Sequence, residues 1–255
     1  MNKNALWTFA FLAAGPAFAI AQDSPALWTD LQGSRPFSAL QEPGRGQGGQ
    51  VVEEWYTPRT RLSLSIYGRV SFPSDTQVTI DDLWYSDFFD PGLGLSVEGD
   101  LLAYMAPTWG IGGYLSVGWD SYSGNTIGFS PTDQVKPEDM ELTTGIIGIK
   151  VLQRVSPFVI WEGRMGLGAV RYSSVNWSGL DAGVPFSNEQ LFQSITRAVW
   201  EIGGRIGVGN PHIEGDFGFG FRVMGGASRG RDVSNFIDPD ILTTFMLELG
   251  VTVRF

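Results

Sequence analysis

Eight stretches of this chain alternate apolar and polar residues with a period of two. In residues 61–72, RLSLSIYGRVSF, one side carries Leu62, Leu64, Ile66, Gly68, Val70 and Phe72. The other carries Arg61, Ser63, Ser65, Tyr67, Arg69 and Ser71. That period fits a β-strand with two unlike faces and not a helix, whose faces recur every 3.6 residues. The pattern returns at 92–105, 109–120, 158–171, 196–208, 213–224 and 241–255. It is less clean at 141–151, where Ile147, Ile149 and Val151 mark the apolar side. An all-β fold of eight long strands is expected.

The joins between the strands alternate in length. Those around APT, RVSP and GNPH are tight turns, whereas 73–91, 121–139, 173–190 and 228–240 are long. A soluble sandwich has short connections at both ends. A barrel that crosses a membrane has short turns at one end and long loops at the other. Each stretch is long enough for the roughly 9–11 residues of tilted strand that a bilayer requires. Aromatic residues stand near strand ends, Trp109 and Trp161 beside short turns and Phe72, Trp119 and Phe192 beside long loops, where interfacial girdles are expected.

The last strand, ELGVTVRF, sets Leu249, Val251, Val253 and Phe255 against Glu248, Gly250, Thr252 and Arg254, and stops on an aromatic ring. In this the sequence resembles the small eight-stranded outer-membrane β-barrels of the OmpA, OmpX and OmpW kind, over residues 60–255. The resemblance implies an eight-stranded antiparallel up-and-down transmembrane β-barrel with short periplasmic turns and long extracellular loops. It implies that Leu249, Val251, Val253 and Phe255 are the signal read by the barrel-assembly machinery, and that outer-membrane lipid and lipopolysaccharide surround the protein. An open sheet edge in lipid costs several kcal/mol per unpaired group, so the last strand is expected to pair with the first, and the chain to stop where the barrel closes.

Residues 1–21 read as a cleaved secretory signal. Lys3 precedes an apolar run, ALWTFAFLAAG, too short to span a bilayer, and Ala19 and Ala21 supply small residues before Gln22. Residues 22–58 form a Pro/Gly/Gln-rich extension, and 59–255 the barrel. There is no cysteine, which excludes disulfides and thiol chemistry. A formal charge of −10 argues against nucleic acid. Glycine, at 34 residues, is about twice as common as usual.

With the apolar face turned to lipid, the other face collects the charges inside. These are Glu98, Asp100, Glu162, Glu201, Glu214, Asp216 and Glu248 against Arg69, Lys150, Arg164, Arg205, Arg222 and Arg254. They make either a packed network of ion pairs or the lining of a pore or catalytic lumen. An interior of eight strands is narrow enough to be filled by its own side chains, which favours packing. Tight turns would set Tyr104 across from Gly110 and, with Val208 opposite Ile213, Arg205 across from Asp216. No catalytic constellation is visible. The single histidine, His212, sits in a short turn, and no serine or lysine near the acid pairs Asp81–Asp82 and Asp87–Asp90 forms a recognisable constellation with them. No cofactor and no metal site is expected, since the acidic spacing matches no EF-hand.

The first long loop carries Asp81, Asp82, Trp84, Tyr85, Asp87 and Phe88, a solvated acidic run or a recognition surface with aromatic anchors for an extracellular ligand. The last loop carries Arg229 and Arg231, within reach of lipid phosphates. The expected role is structural, envelope-stabilising or surface-interacting, in a monomer. The alternatives are a narrow channel or carrier for a small solute and, behind it, a lipid-modifying barrel enzyme.

Overall fold

The computed structural model describes residues 59–73, 83–106, 108–156, 158–209, 212–230 and 241–255. The signal segment, the extension at 22–58, Asp81, Asp82 and Arg231 lie outside the described residues. In chain order the elements are β1 (Arg59–Pro73), the short helix α1 (Tyr85–Phe88), β2 (Gly92–Ala106), β3 (Trp109–Tyr122), β4 (Ile127–Ser130), β5 (Asp133–Pro137) and β6 (Met140–Ser156). They continue with β7 (Val159–Tyr172), β8 (Val175–Asp181), β9 (Val184–Gln193), β10 (Ile195–Gly209), β11 (Ile213–Gly225), β12 (Ser228–Arg229) and β13 (Ile241–Arg254).

Eight of these strands close into an antiparallel barrel in the order β1-β13-β11-β10-β7-β6-β3-β2. They coincide with the eight alternating stretches. The first and last strands pair from Ser63↔Arg254 to Pro73↔Thr244, which closes the barrel. Closure continues to the final residue, whose N–H donates to the Leu62 carbonyl at 2.9 Å. The barrel is inside-out relative to a soluble protein. Leu249 and Ile147 are each 69% exposed, while Glu98 and Asp120 are 0% exposed. Phe72, Trp109 and Trp119 face outward near the strand ends, as expected of girdle residues. Phe192 does not. It is buried, because it lies in β9 above the barrel and packs inward against Tyr85 and Phe89.

Three of the long connections hold strands that the alternation did not reveal. β4, β5, β8, β9 and β12 form a second sheet in the order β12-β9-β8-β5-β4 at the long-loop end. Its residues mix polar and apolar types on both sides, so no clean period of two marks them. The β8–β9 tip turns through Ala182 (φ 48°) and Gly183 (φ 80°). Two successive positive φ values give the turn that matches strand twist in a two-residue hairpin. Ala182 is held there by its N–H, which donates to the Asp133 carboxylate at 2.7 Å.

The glycine excess has a packing reason. Tyr104 does sit across from Gly110. Elsewhere a glycine faces a large inward group: Gly250 lies opposite Tyr67, and any Cβ there would run into the Tyr67 ring and the Ile66 carbonyl. Around Gly145, by contrast, a Cβ would meet nothing within 4 Å. Gly250→Ala is therefore expected to cost about 1–3 kcal/mol through forced displacement of Tyr67. Gly145→Ala is expected to be neutral or slightly stabilising. Urea midpoints of the two variants in lipid vesicles check this, and equal midpoints would refute the packing account.

Candidate functional site in the barrel interior

The inward side chains fall into three layers. At the long-loop end an apolar layer contains Tyr122, Leu142, Ile146, Val170, Tyr172, Val199, Met224 and Leu242. It is completed from above by α1, whose Tyr85 and Phe88 are buried together with Phe89. The segment is pinned at several points. The Asp87 carboxylate accepts the Trp84 N–H at 2.8 Å, Asn125 N–H donates to the Phe88 carbonyl at 2.7 Å, and Asn125 Nδ2 donates to Asp90 at 3.0 Å. Tyr85 and Phe88 thus correct the expectation of exposed aromatic anchors in this loop. The open mouth of the barrel is apolar, and rings from the nearest loop cover it. Of the other residues in that expectation, Trp84 is half-buried and Asp87 is exposed.

Near the short-turn end a smaller apolar group, Leu102, Tyr104, Leu152 and Ile160, fills the interior. Beside it the Arg254 guanidinium pairs with the Glu214 carboxylate, and both groups are buried. Asp216 lies close by and accepts a hydrogen bond of 2.6 Å from the Thr252 hydroxyl. Arg205 is not its partner. β10 and β11 pair with Gly209 opposite Glu214, two residues away from the expected register, which puts Arg205 across from Gly218 and Asp216 across from Gly207. Each charged side chain then leans over a glycine into the lumen. A Cβ on Gly207 would stand 2.7 Å from Asp216 Oδ1.

Between these layers runs one continuous ion-pair network. Arg69 clamps Asp120 through Nε (2.5 Å) and Nη2 (2.6 Å). Asp120 also meets Arg222 at 3.3 Å, and Arg222 holds Glu201 at 2.6 Å. Glu201 reaches Arg164 at 3.1 Å, and Arg164 pairs with Glu248 at 2.8 Å and Glu98 at 2.9 Å. Arg205 joins Glu98 (2.9 Å), Glu248 (3.0 Å) and Glu162 (3.2 Å). Lys150 closes the chain on Glu98 (2.5 Å), Asp100 (2.8 Å) and Glu162 (3.2 Å). The Ser63 hydroxyl donates to Asp100, and the Arg205 guanidinium stacks 3.7 Å from the centre of the Tyr67 ring. The members come from all eight staves of the barrel.

The structure therefore places all thirteen expected inward charges inside the barrel, and joins ten of them to this network. Among the described residues, two buried inward charges escaped the sequence reading, Asp120 and Arg154; Arg61 and Arg197, also at inward positions, are half-buried. The parity of the two buried ones was available: Asp120 follows Ser116 and Gly118 on the inward side of β3, and Arg154 follows Lys150 and Leu152 on β6. Such a network needs this degree of pairing, because an uncompensated buried charge costs several kcal/mol. Among the described residues no group of three or more histidine, aspartate or glutamate side chains is arranged to hold a metal ion. His212 stands exposed in the short join between β10 and β11, away from the network.

A belt of exposed Leu, Ile, Val and Phe surrounds this charged interior. Soluble monomers rarely expose contiguous apolar patches above a few hundred Å². Hydrocarbon outside, a closed hydrogen-bonded sheet and polar groups inside are what a bilayer demands of a β-structure. The chain is an eight-stranded transmembrane β-barrel. No protein-family model matches it, and no curated protein does. Among solved structures the barrel is similar to Ail, the attachment invasion locus protein of Yersinia pestis, at 14% identity over 77% of this chain and 99% of that one, with a TM-score of 0.43. It is similar to the outer membrane protein OprG of Pseudomonas aeruginosa (11% identity, 77% of this chain, 95% of that one, TM-score 0.43). It is also similar to the outer membrane protease OmpT of Escherichia coli (9%, 79%, 99%, TM-score 0.44).

Proposed function

We propose that this protein is a non-enzymatic scaffold barrel of the bacterial outer membrane, stabilising the envelope or presenting its long-loop end to the exterior. The observation that carries the reading is the interior: a network anchored on all eight staves, with an apolar layer on each side of it. A lumen filled in this way supports a structural role over a channel or carrier, because a solute would have to break several buried ion pairs to pass. Residues 1–21 serve as the export signal and 22–58 as a Pro/Gly/Gln-rich extension ahead of the barrel in sequence. Leu249, Val251 and Val253 on the outward side of β13, with Phe255 directly after it, serve as the assembly signal. The sheet of β4, β5, β8, β9 and β12 supplies the outer surface. Surrounding lipid, lipopolysaccharide and the assembly machinery are its partners, and it works as a monomer.

Two measurements test the reading. Heat-modifiable migration on gels is expected of the folded barrel, and a soluble, unshifted protein would sink the membrane assignment. In planar bilayers no unitary conductance steps are expected. Reproducible steps from the wild-type chain would instead favour the channel.

A further inference from the structure

Among the described residues, the outward positions of the eight staves carry only two charges, Glu141 on β6 and Arg171 on β7. Both lie at the long-loop end of adjacent strands, and both are exposed. They form no ion pair with each other. The Glu141 main chain is engaged with Ser173, whose N–H donates to the Glu141 carbonyl at 2.9 Å. That pairing sets Thr143 beside Arg171 on one side, and Thr196 is its partner on the other. A guanidinium flanked by two hydroxyl-bearing residues thus stands at the upper margin of the apolar belt.

Directly below, the surface is recessed. Ala169 pairs with Ala198, and Gly145 continues the same row onto β6 with open space where a side chain would be. Leu167 and Trp200, paired one row lower, rise as the far lip. An arginine at this depth lays its apolar stem along the belt and lifts its head to the headgroup level. Its planar fork matches a phosphate in two hydrogen bonds, which a point charge does not. In a chain of net charge −10, it is also the one outward cation of the staves that can offset an anionic headgroup.

We propose that Arg171, with Thr143 and Thr196, binds the phosphate of an anionic lipid of the surrounding leaflet, the first carbons of one acyl chain resting over Gly145, Ala169 and Ala198. The site rests on the transmembrane reading given above. The neighbouring Glu141 carboxylate competes with the phosphate and tempers the affinity.

The test uses the full chain in vesicles of equimolar phosphatidylglycerol and phosphatidylcholine, each preparation first scored for heat-modifiable migration. The protein is then extracted in mild detergent, and the lipids retained on it are counted by mass spectrometry. One guanidinium at the surface is expected to enrich phosphatidylglycerol about fivefold. Arg171→Gln is expected to return the ratio to that of the vesicle, and Glu141→Gln to raise it. Ala198→Leu, which fills the recess and keeps the guanidinium, is expected to lower the total lipid retained; unchanged retention would remove the recess from the site. A wild type that inserts without enrichment, or an Arg171→Gln barrel that keeps it, overturns the site alone. A wild type that does not insert overturns the membrane reading and the site with it.

Discussion

Replacing Glu98 by glutamine is expected to lower the unfolding free energy of the barrel by about 3–5 kcal/mol. Glu98 is the hub of the interior. Its two oxygens accept hydrogen bonds from Lys150 (2.5 Å), Arg164 (2.9 Å) and Arg205 (2.9 and 3.2 Å), and it has no exposed surface. Glutamine keeps the shape but removes the anion, and its amide turns a donor toward three cations that have only donors to offer. The loss therefore combines missing attraction with new repulsion in a site where water does not reach. A second substitution sharpens the test. Lys150→Met in the Glu98→Gln background removes one cation as well, and is expected to recover part of the loss, since whole buried pairs can be replaced at little cost. Urea titration of vesicle-embedded protein, followed by tryptophan fluorescence, measures both. A Glu98→Gln barrel as stable as wild type would mean that the network contributes nothing to stability.

The second large effect is expected at the aromatic cover. Phe88 is 1% exposed and packs beside Phe89, with ring centres 6.5 Å apart. Truncating a buried phenylalanine to alanine costs about 3–5 kcal/mol. Here most of that loss is expected to appear as local opening, because α1 has only four residues and is tied to the barrel through Asn125, Asp90 and the bridge between Phe89 and Gly124. The Asn125 amide, which donates to the Phe88 carbonyl, is expected to exchange about a hundredfold faster in Phe88→Ala. Bilayer conductance is expected to stay silent, since the ion-pair layer lies below the cover and does not depend on it. Conductance in Phe88→Ala would place the barrier to solutes in the aromatic cover instead.

What the sequence disclosed follows from which interactions leave a local trace. The eight staves were legible because lipid outside and charge inside impose a strict period of two, and parity then carried Glu98, Arg164 and Glu248 to the interior. Asp120 was overlooked because the inward positions before it on β3 are Gly110, Gly112, Tyr114, Ser116 and Gly118, which announce no charged face. Arg154 was overlooked because β6 runs on to Ser156, past the point where its alternation fades. The partners of Arg205 were out of reach for a different reason. They depend on the length of the β10–β11 turn and on strands far away in sequence, and a two-residue change in register moved Arg205 from Asp216 to Gly218. The aromatic cover left no period at all. Tyr85, Phe88 and Phe89 read alike whether they seek a partner protein or the mouth of their own barrel. Only the apolar ring of Tyr122, Leu142, Tyr172 and Leu242 waiting beneath them decides it.

That every stave contributes to one network bears on how the protein reaches its final form. A curled sheet lacking even one strand would carry carboxylates and guanidiniums that have lost their counterparts, in a setting where each solitary ion costs several kcal/mol. Arg69 on β1 finds Asp120 on β3, whereas Glu248 on β13 is matched, among the described residues, by Arg164 and Arg205 across the lumen. Neutralisation of Glu248 requires the sheet to curl until β13 faces β7 and β10 across the lumen. Charge balance thus favours the finished barrel: a sheet not yet curled leaves carboxylates and guanidiniums without the counterparts they meet across the lumen.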